Sequence, residues 1–287
     1  MLKIENKPLF DDTINHLAKK QADINGLADN NKRKRANSLW RNKSTGVGIT
    51  PFTEIKKNLT EMSIGGRCNY CEHNEGGDIE HILPKSVYPQ YTFTWENYLL
   101  ACTNCNRYKS DKMQVFTHEG GLTTRLLSRR SQITHNEDIA FVHSRRENPM
   151  DFMELNFDDF QFYARPPHIP NTREYIKTEK TLHLLKLNRD FLIERRKEAF
   201  YFYKSLIAKY CIVKEANTDE DLSRVIKQDI NVNDKNNILT RLKNTILKWE
   251  HPTILREMIR QAAQFSPQIQ TYLSIISIDF NIVHYAS

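Results

Sequence analysis

Four cysteines in two Cys-x-x-Cys pairs, Cys68/Cys71 and Cys102/Cys105, enclose the dipeptide Glu80-His81 and Asn97, and Asn106 follows the last cysteine directly. Four thiolates in two close pairs suit a closed tetrahedral site for structural zinc, because a two-residue gap lets both sulfurs of a pair reach one ion from a tight turn or a helix start. Thirty residues separate Cys71 from Cys102, more than the roughly fifteen to twenty of a simple zinc ribbon. A segment with its own purpose is inserted between the knuckles.

That segment carries Asp78-Ile79-Glu80-His81-Ile82-Leu83-Pro84-Lys85. A neutral imidazole near pH 7 takes a proton from water, and a neighbouring carboxylate holds a divalent ion that polarises a phosphate and stabilises the leaving oxygen. These are the groups that metal-assisted phosphodiester cleavage needs. Adjacent side chains of a regular strand point to opposite faces, so Glu80 and His81 serve one phosphate only at a strand end, turn or bulge, which Pro84 makes room for. Asn97 either braces the loop by bonding backbone groups or fixes the His81 tautomer. Asn106 can offer its carboxamide oxygen to the same ion as Glu80. Lys109 and Lys112 lie one and nearly two turns beyond Asn106, and with Lys85 and Arg107 they are expected to form a phosphate-contacting edge.

The elements that must position these groups are read from periodicity. Leu9, Phe10, Ile14 and Leu17 predict one face of a first helix, and Thr50-Pro51 predicts the N-cap and first turn of a second, with Phe52, Ile55, Leu59 and Met62 behind it. Gly65-Gly66 ends that helix. Between the two lie polar segments and the basic run Lys32-Arg33-Lys34-Arg35, either a solvated loop or helix face or a contact for an anionic partner. From residue 65 to 115 the order is cysteine knuckle, short strand over 79–83, long loop, then a helix from Thr103 to Met113. Beyond a polar stretch with Asn148-Pro149 and Pro166-Pro167, Asn188 is expected to cap a helix through Phe191, Leu192, Phe200 and Tyr203. Ile238, Leu239, Leu242, Ile246 and Trp249 mark another helix, and His251-Pro252 and Ser266-Pro267 open two more. The expected organisation is a helical lead-in over 1–64, a compact core over 65–115 and a mostly helical C-terminal domain over 116–287.

Composition narrows the class. With 287 residues, 39% hydrophobic and 27% charged, the chain can bury a full core. No run of about eighteen apolar residues and no signal-peptide core occurs, so a soluble, cytoplasmic protein with no membrane role is expected. Four of five cysteines lie in the paired motif, which suits a reducing compartment, and Cys211 reads as a buried core residue. A net charge of +7 favours an anionic partner, nucleic acid above all.

The pattern Cys68-Asn69-Tyr70-Cys71, then Glu80-His81-Ile82-Leu83-Pro84-Lys85, then Asn97-Tyr98-Leu99-Leu100-Ala101-Cys102-Thr103-Asn104-Cys105-Asn106-Arg107-Tyr108-Lys109 resembles that of the HNH, or ββα-metal, endonucleases. The resemblance implies an α+β fold class, a small zinc-stabilised ββα-metal core embedded in a mostly α-helical chain. It implies His81 as general base, Glu80 and Asn106 as catalytic-metal ligands, and Asn97 as the residue positioning the loop. Glu80 stands where Asp is usual and Asn106 where the last His is usual. Asparagine, an oxygen donor, suits Mg²⁺ or Mn²⁺. Further likeness, through Glu147-Asn148-Pro149 and Leu185-Lys186-Leu187-Asn188-Arg189-Asp190-Phe191-Leu192, is to the PtuB-type HNH proteins of Septu and retron anti-phage systems of bacteria. That likeness implies a PtuA-like partner ATPase of the SMC or ABC type, with a retron reverse transcriptase and its msDNA as further candidates, and makes the helical tail a docking surface. DNA is the default substrate, with structured RNA including tRNA open. The alternative reading is a zinc-stabilised nucleic-acid-binding or scaffolding subunit without turnover.

Overall fold

The computed structural model describes residues 1–118, 121–133, 135, 137–226 and 234–282. Two compact units form, one from Met1–Asn156 with Gln161–Arg189, the other from Phe157–Phe160 with the chain from Asp190 onward.

The first unit opens with three helices, α1 (Asp11–Asn25), α2 (Asp29–Arg41) and α3 (Ile49–Met62). Leu17 and Ile24 of α1, Ala36 and Leu39 of α2, and Phe52, Ile55 and Leu59 of α3 meet in one apolar cluster. Burying each large side chain contributes about 1.5–3 kcal/mol, so this cluster holds the three helices together. The expected first helix differs in detail: Leu9 and Leu17 are buried, whereas Phe10 and Ile14 face solvent, because α1 begins only at Asp11. Thr50 lies inside α3 rather than capping it. The stretch between the two expected helices is itself helical, as α2.

The same cluster takes in Phe93, Tyr98 and Leu100, so the helices cover one face of an antiparallel pair, β1 (Asp78–His81) and β2 (Tyr98–Ala101), whose register sets His81 opposite Tyr98. Helix α4 (Thr103–Lys109) follows directly. It stops short of the Met113 expected from sequence because Ser110 turns to φ 50°, a left-handed conformation that no helix continues through. Met113 instead starts β3 (Met113–Thr117), paired with β4 (Thr123–Leu127). A short helix α5 (Pro149–Phe152), the pair β5 (Met153–Leu155) and β6 (Phe162–Ala164), and α6 (Arg173–Leu185) complete the unit.

The boundary expected at 115/116 therefore falls inside a packed unit. Arg145, buried, donates to the carbonyls of Tyr98 at 2.7 Å and Trp95 at 2.9 Å and stacks on the Trp95 ring. Arg173 lies over Phe116, and the Val142 amide donates to Thr181 Oγ1. Asn188 lies two residues before the next helix, and its carboxamide brackets the backbone N–H and C=O of Phe162 at 2.9 and 2.7 Å.

The second unit is helical: α7 (Asp190–Glu215), α8 (Asp219–Ile226), α9 (Lys235–Lys248), α10 (Pro252–Arg260) and α11 (Pro267–Asp279). The last two each start on the proline read from sequence, with His251 at φ 54° before the first. Phe157, Phe160, Phe200 and Phe265 stack together at one end. Cys211 is fully buried, and burial pushes its thiol up to about 12. Among the described residues no helix is long and apolar enough to cross a membrane.

Candidate active site and zinc knuckle

The knuckle begins where α3 must stop. Gly65 and Gly66 both take positive φ, 63° and 69°, a region that costs a side chain about 1 kcal/mol or more. The Cys68 amide donates to the Asn74 carbonyl and the Glu72 amide to the Cys68 carbonyl, closing the loop. Asn69 fastens it to β2, accepting from the Leu100 amide at 2.9 Å while its own amide donates to the Leu100 carbonyl at 2.8 Å. A β-carbon on Gly76 would come within 2.3 Å of the Leu100 side chain, so only glycine lets the strand approach.

All four cysteines are buried and free of disulfides, and their sulfurs lie within 4.8 Å of one another. Cys71 and Cys102 are 3.9 Å apart, close to the roughly 3.8 Å that a tetrahedral zinc with bonds of about 2.3 Å imposes. Cys102 is the N-cap of α4, its sulfur accepting from the Cys105 amide. Hydrogen bonds from the Cys105, Cys68 and Cys71 thiols hold Cys102 well below the usual thiol range. The donor set fits zinc.

His81 is the last residue of β1, and it faces away from Glu80. Its Nε2 lies 2.9 Å from the Thr92 carbonyl. A carbonyl only accepts, so Nε2 carries the proton and Nδ1 is the basic atom. The ring packs against Trp40 of α2 at 4.1 Å and Tyr98 of β2 at 5.3 Å between centroids. Burial, aided by the Lys85 charge, holds the imidazole well below its ordinary range, so it stays neutral at pH 7. Asn97, also buried, makes no bond to His81. Its Oδ1 accepts from the Leu83 amide at 2.7 Å, and its Nδ2 donates to the carbonyls of Leu83 at 3.0 Å and Tyr91 at 2.9 Å. Of the two roles open to it from sequence, it has the bracing one, and the Thr92 backbone sets the tautomer.

On the opposite face of β1, Asp78 and Glu80 meet α4. Glu80 is buried, with Oε1 2.7 Å from Lys109 Nζ, and burial raises its pKa against the pull of that ammonium. Asn106 donates through Nδ2 to Asp78 Oδ2 at 3.0 Å, which leaves its carboxamide oxygen as the atom with ligand capacity. Glu80 and Asn106 thus share the β1–α4 interface, each engaged with a different partner. All three side chains, with Asp78, carry hard oxygen donors, the kind that divalent cations take, but only Asp78 and Asn106 are hydrogen-bonded to each other.

The expected phosphate edge needs correction at Lys109. It is completely buried, its ammonium bonded to Glu80 and, at 2.7 Å, to the His81 carbonyl. Because Asn106 and Lys109 are one turn apart they share the face turned toward β1, and that face is interior. Lys112 is exposed but lies past the end of α4, Arg107 is exposed on it, and Lys85 is half-buried, its pKa lowered by burial. The sequence reading missed Trp40, whose spacing from Ala36 marked a helical face, and Asp78, a carboxylate two residues before Glu80. A cleft of about 590 Å³ opens beside Asp78 and Asn106, walled by Trp40, Lys43, Thr53 and Lys56.

The family profile described as HNH endonuclease matches residues 68–112, which span this knuckle, strand pair and helix. The chain is also similar to two proteins described as Septu protein PtuB. One, from Bacillus thuringiensis, is 40% identical over 60 residues, covering 19% of this chain and 23% of the relative. The other, from Bacillus mycoides strain KBAB4, is 25% identical over 173 residues, covering 51% of this chain and 52% of the relative. The chain spans at most about half the length of these relatives. No solved structure matches it.

Proposed function

We propose that this protein is a metal-dependent HNH endonuclease, the effector nuclease of a Septu-type anti-phage system, acting with a PtuA-like ATPase of the SMC or ABC type. One observation carries the catalytic part. A buried, neutral histidine at the end of β1 has its Nε2 tied to a main-chain carbonyl and directly follows in sequence a buried carboxylate that faces the helix carrying Asn106. In this reading His81 Nδ1 takes a proton from water as the water oxygen bonds to phosphorus and the bond from phosphorus to the leaving oxygen breaks. A divalent ion held by Glu80 and Asn106, when bound, stabilises the charge that develops on the phosphoryl group. Asn97 keeps the 83–91 loop in place, and the zinc knuckle keeps β2 and α4 in register. DNA is the expected substrate, with structured RNA as the other arm of the test. The likeness to PtuB proteins supports the defence role and the ATPase partner.

The test is cleavage of plasmid and of structured RNA with Mg²⁺ or Mn²⁺, by the protein alone and with its ATPase. A base of this kind contributes roughly a hundredfold to ten-thousandfold, so His81→Ala should lose cleavage by that factor while zinc content and fold persist. Cleavage at the wild-type rate in that variant would refute the assignment. Binding without cleavage by the wild type in every condition would favour the silent, nucleic-acid-binding alternative.

A further inference from the structure

Helix α2 has two sides with different business. Ala36 and Leu39 enter the core, and Trp40 carries its ring to His81. The basic run on the same helix is divided. Lys32 pairs with Asp29 and Arg35 with Asp23. Arg33 is half-buried and spends its guanidinium on main-chain carbonyls: Ser86, Arg129 at 2.6 Å and Ser131 at 2.7 Å. It therefore straps the 128–131 turn against α2 and sets Arg130 beside the helix. Lys34 and Arg41 on α2 and Arg130 on the turn are exposed, and none has an ion-pair partner among the described residues.

These three cations lie along a path with a cleft at each end. At the N-terminal end of α2 a groove of about 670 Å³ is lined by Asn30, Lys34, Asn37 and the Lys32-paired Asp29 of the helix, by Arg130 of the strapped turn and by Gln132 just after it. At its C-terminal end lies the cleft beside Asp78 and Asn106, where Lys43 stands over the Trp40 ring at 4.7 Å. Thirteen residues of helix run about 20 Å, the axial length of roughly six nucleotides of one strand at 3.4 Å each. Exposed lysine and arginine interleaved with amide side chains is the composition that contacts phosphate and sugar without reading bases.

We propose that α2 with the 128–131 turn is the track for a nucleic-acid strand leading away from the scissile phosphate, held through its phosphodiester backbone by Lys34, Arg41 and Arg130. The inference rests on the nuclease reading for its direction, since the track ends at the cleft that Asp78, Asn106 and Trp40 line. It assigns α2 a second task besides packing: the helix that backs the base also sets how far the strand extends from it.

Backbone binding is read from its salt dependence, because each phosphate contact contributes a slope of about 0.9 in log affinity against log salt on duplex DNA and about 0.7 on single strands. The experiment uses the full zinc-loaded chain bearing His81→Ala, without Mg²⁺, and fluorescently labelled duplex DNA, single-stranded DNA and structured RNA between 50 and 200 mM salt. In the triple variant Lys34→Gln/Arg41→Gln/Arg130→Gln the affinity lost across that range should be about 20- to 40-fold smaller than in the parent, three contacts' worth. A control triple in the second unit, Lys204→Gln/Arg241→Gln/Lys248→Gln, should keep the parental slope. An unchanged slope in the first variant, an equal fall in the control, or no binding of any probe by the parent overturns the track. Cleavage by the wild-type chain, run alongside, separates the two ideas: cleavage with an unchanged slope removes the track alone, and a reduced slope without cleavage removes the nuclease reading alone.

Discussion

Lys109 offers the sharpest test of how the site is built. Its side chain has no solvent exposure, and its ammonium makes two hydrogen bonds of 2.7 Å, one to the Glu80 carboxylate and one to the His81 carbonyl. Hydrogen bonds to charged groups contribute about 1.5–3 kcal/mol each. Removing one partner of a buried pair costs about 3–5 kcal/mol, because the remaining charge is left alone in the interior. Lys109→Met, similar in length and free of charge, should destabilise the first unit by that 3–5 kcal/mol. At a urea dependence of about 2 kcal/mol per molar, the midpoint falls by roughly 2 M. Tryptophan fluorescence reads the transition, since Trp40 and Trp95 both lie in that unit. The cost comes from Glu80, so Glu80→Gln/Lys109→Met should regain about half of it. Mg²⁺ should stabilise the single variant more than the wild type, because Glu80 has lost its counter-cation. A loss below about 1 kcal/mol, or a double variant no more stable than the single, would refute this account. Such results would point to the surface, phosphate-facing lysine expected from sequence.

Three further outcomes are expected beside the loss of cleavage in His81→Ala. Asn97→Ala leaves the Leu83 amide and the Leu83 and Tyr91 carbonyls without their buried partner, so it should cost about 2–4 kcal/mol in urea unfolding and lower kcat with zinc retained. His143, held down to about 3 by burial and then by Arg146, binds a proton more readily unfolded than folded. Its contribution is whole above about pH 6.5 and is lost as pH falls toward 3, so His143→Gln should flatten the acid limb of a stability-against-pH curve between those values, and an unchanged limb would count against it. Elemental analysis should find one zinc per chain, and Cys102→Ser should lower both zinc occupancy and the melting temperature of the first unit, since a serine hydroxyl can still cap α4 but does not replace the thiolate on zinc.

What could be read from sequence was what short-range spacing dictates. Two Cys-x-x-Cys pairs define a knuckle, Pro84 marks the end of a strand, and Pro252 and Pro267 mark helix starts. Each of these is a local constraint that needs no knowledge of the rest of the chain. Helix α2 was hard to see because its apolar face is only Ala36, Leu39 and Trp40 amid a basic, amide-rich sequence. Lys109 was misplaced for a related reason: a lysine one turn from a ligand reads as surface, and only the β1 strand lying over α4 makes that face interior. The end of α4 at Ser110 has no residue signature, since serine has no preference of its own for positive φ. Arg145 reaches β2 from far along the chain, and the boundary expected at 115/116 missed that return.

The His81 ring is oriented by an atom that no side-chain substitution removes. The Thr92 carbonyl receives both His81 Nε2 and, at 2.7 Å, the Tyr98 hydroxyl. Residue 92 can therefore change identity while the proton on the imidazole keeps its place. What cannot change is the length of chain between His81 and Tyr98. Inserting or deleting a single residue there is expected to carry that oxygen off the ring and, in the proposed mechanism, to present the water with the wrong nitrogen. In the proposed mechanism the count of loop residues is as much a requirement as the histidine itself.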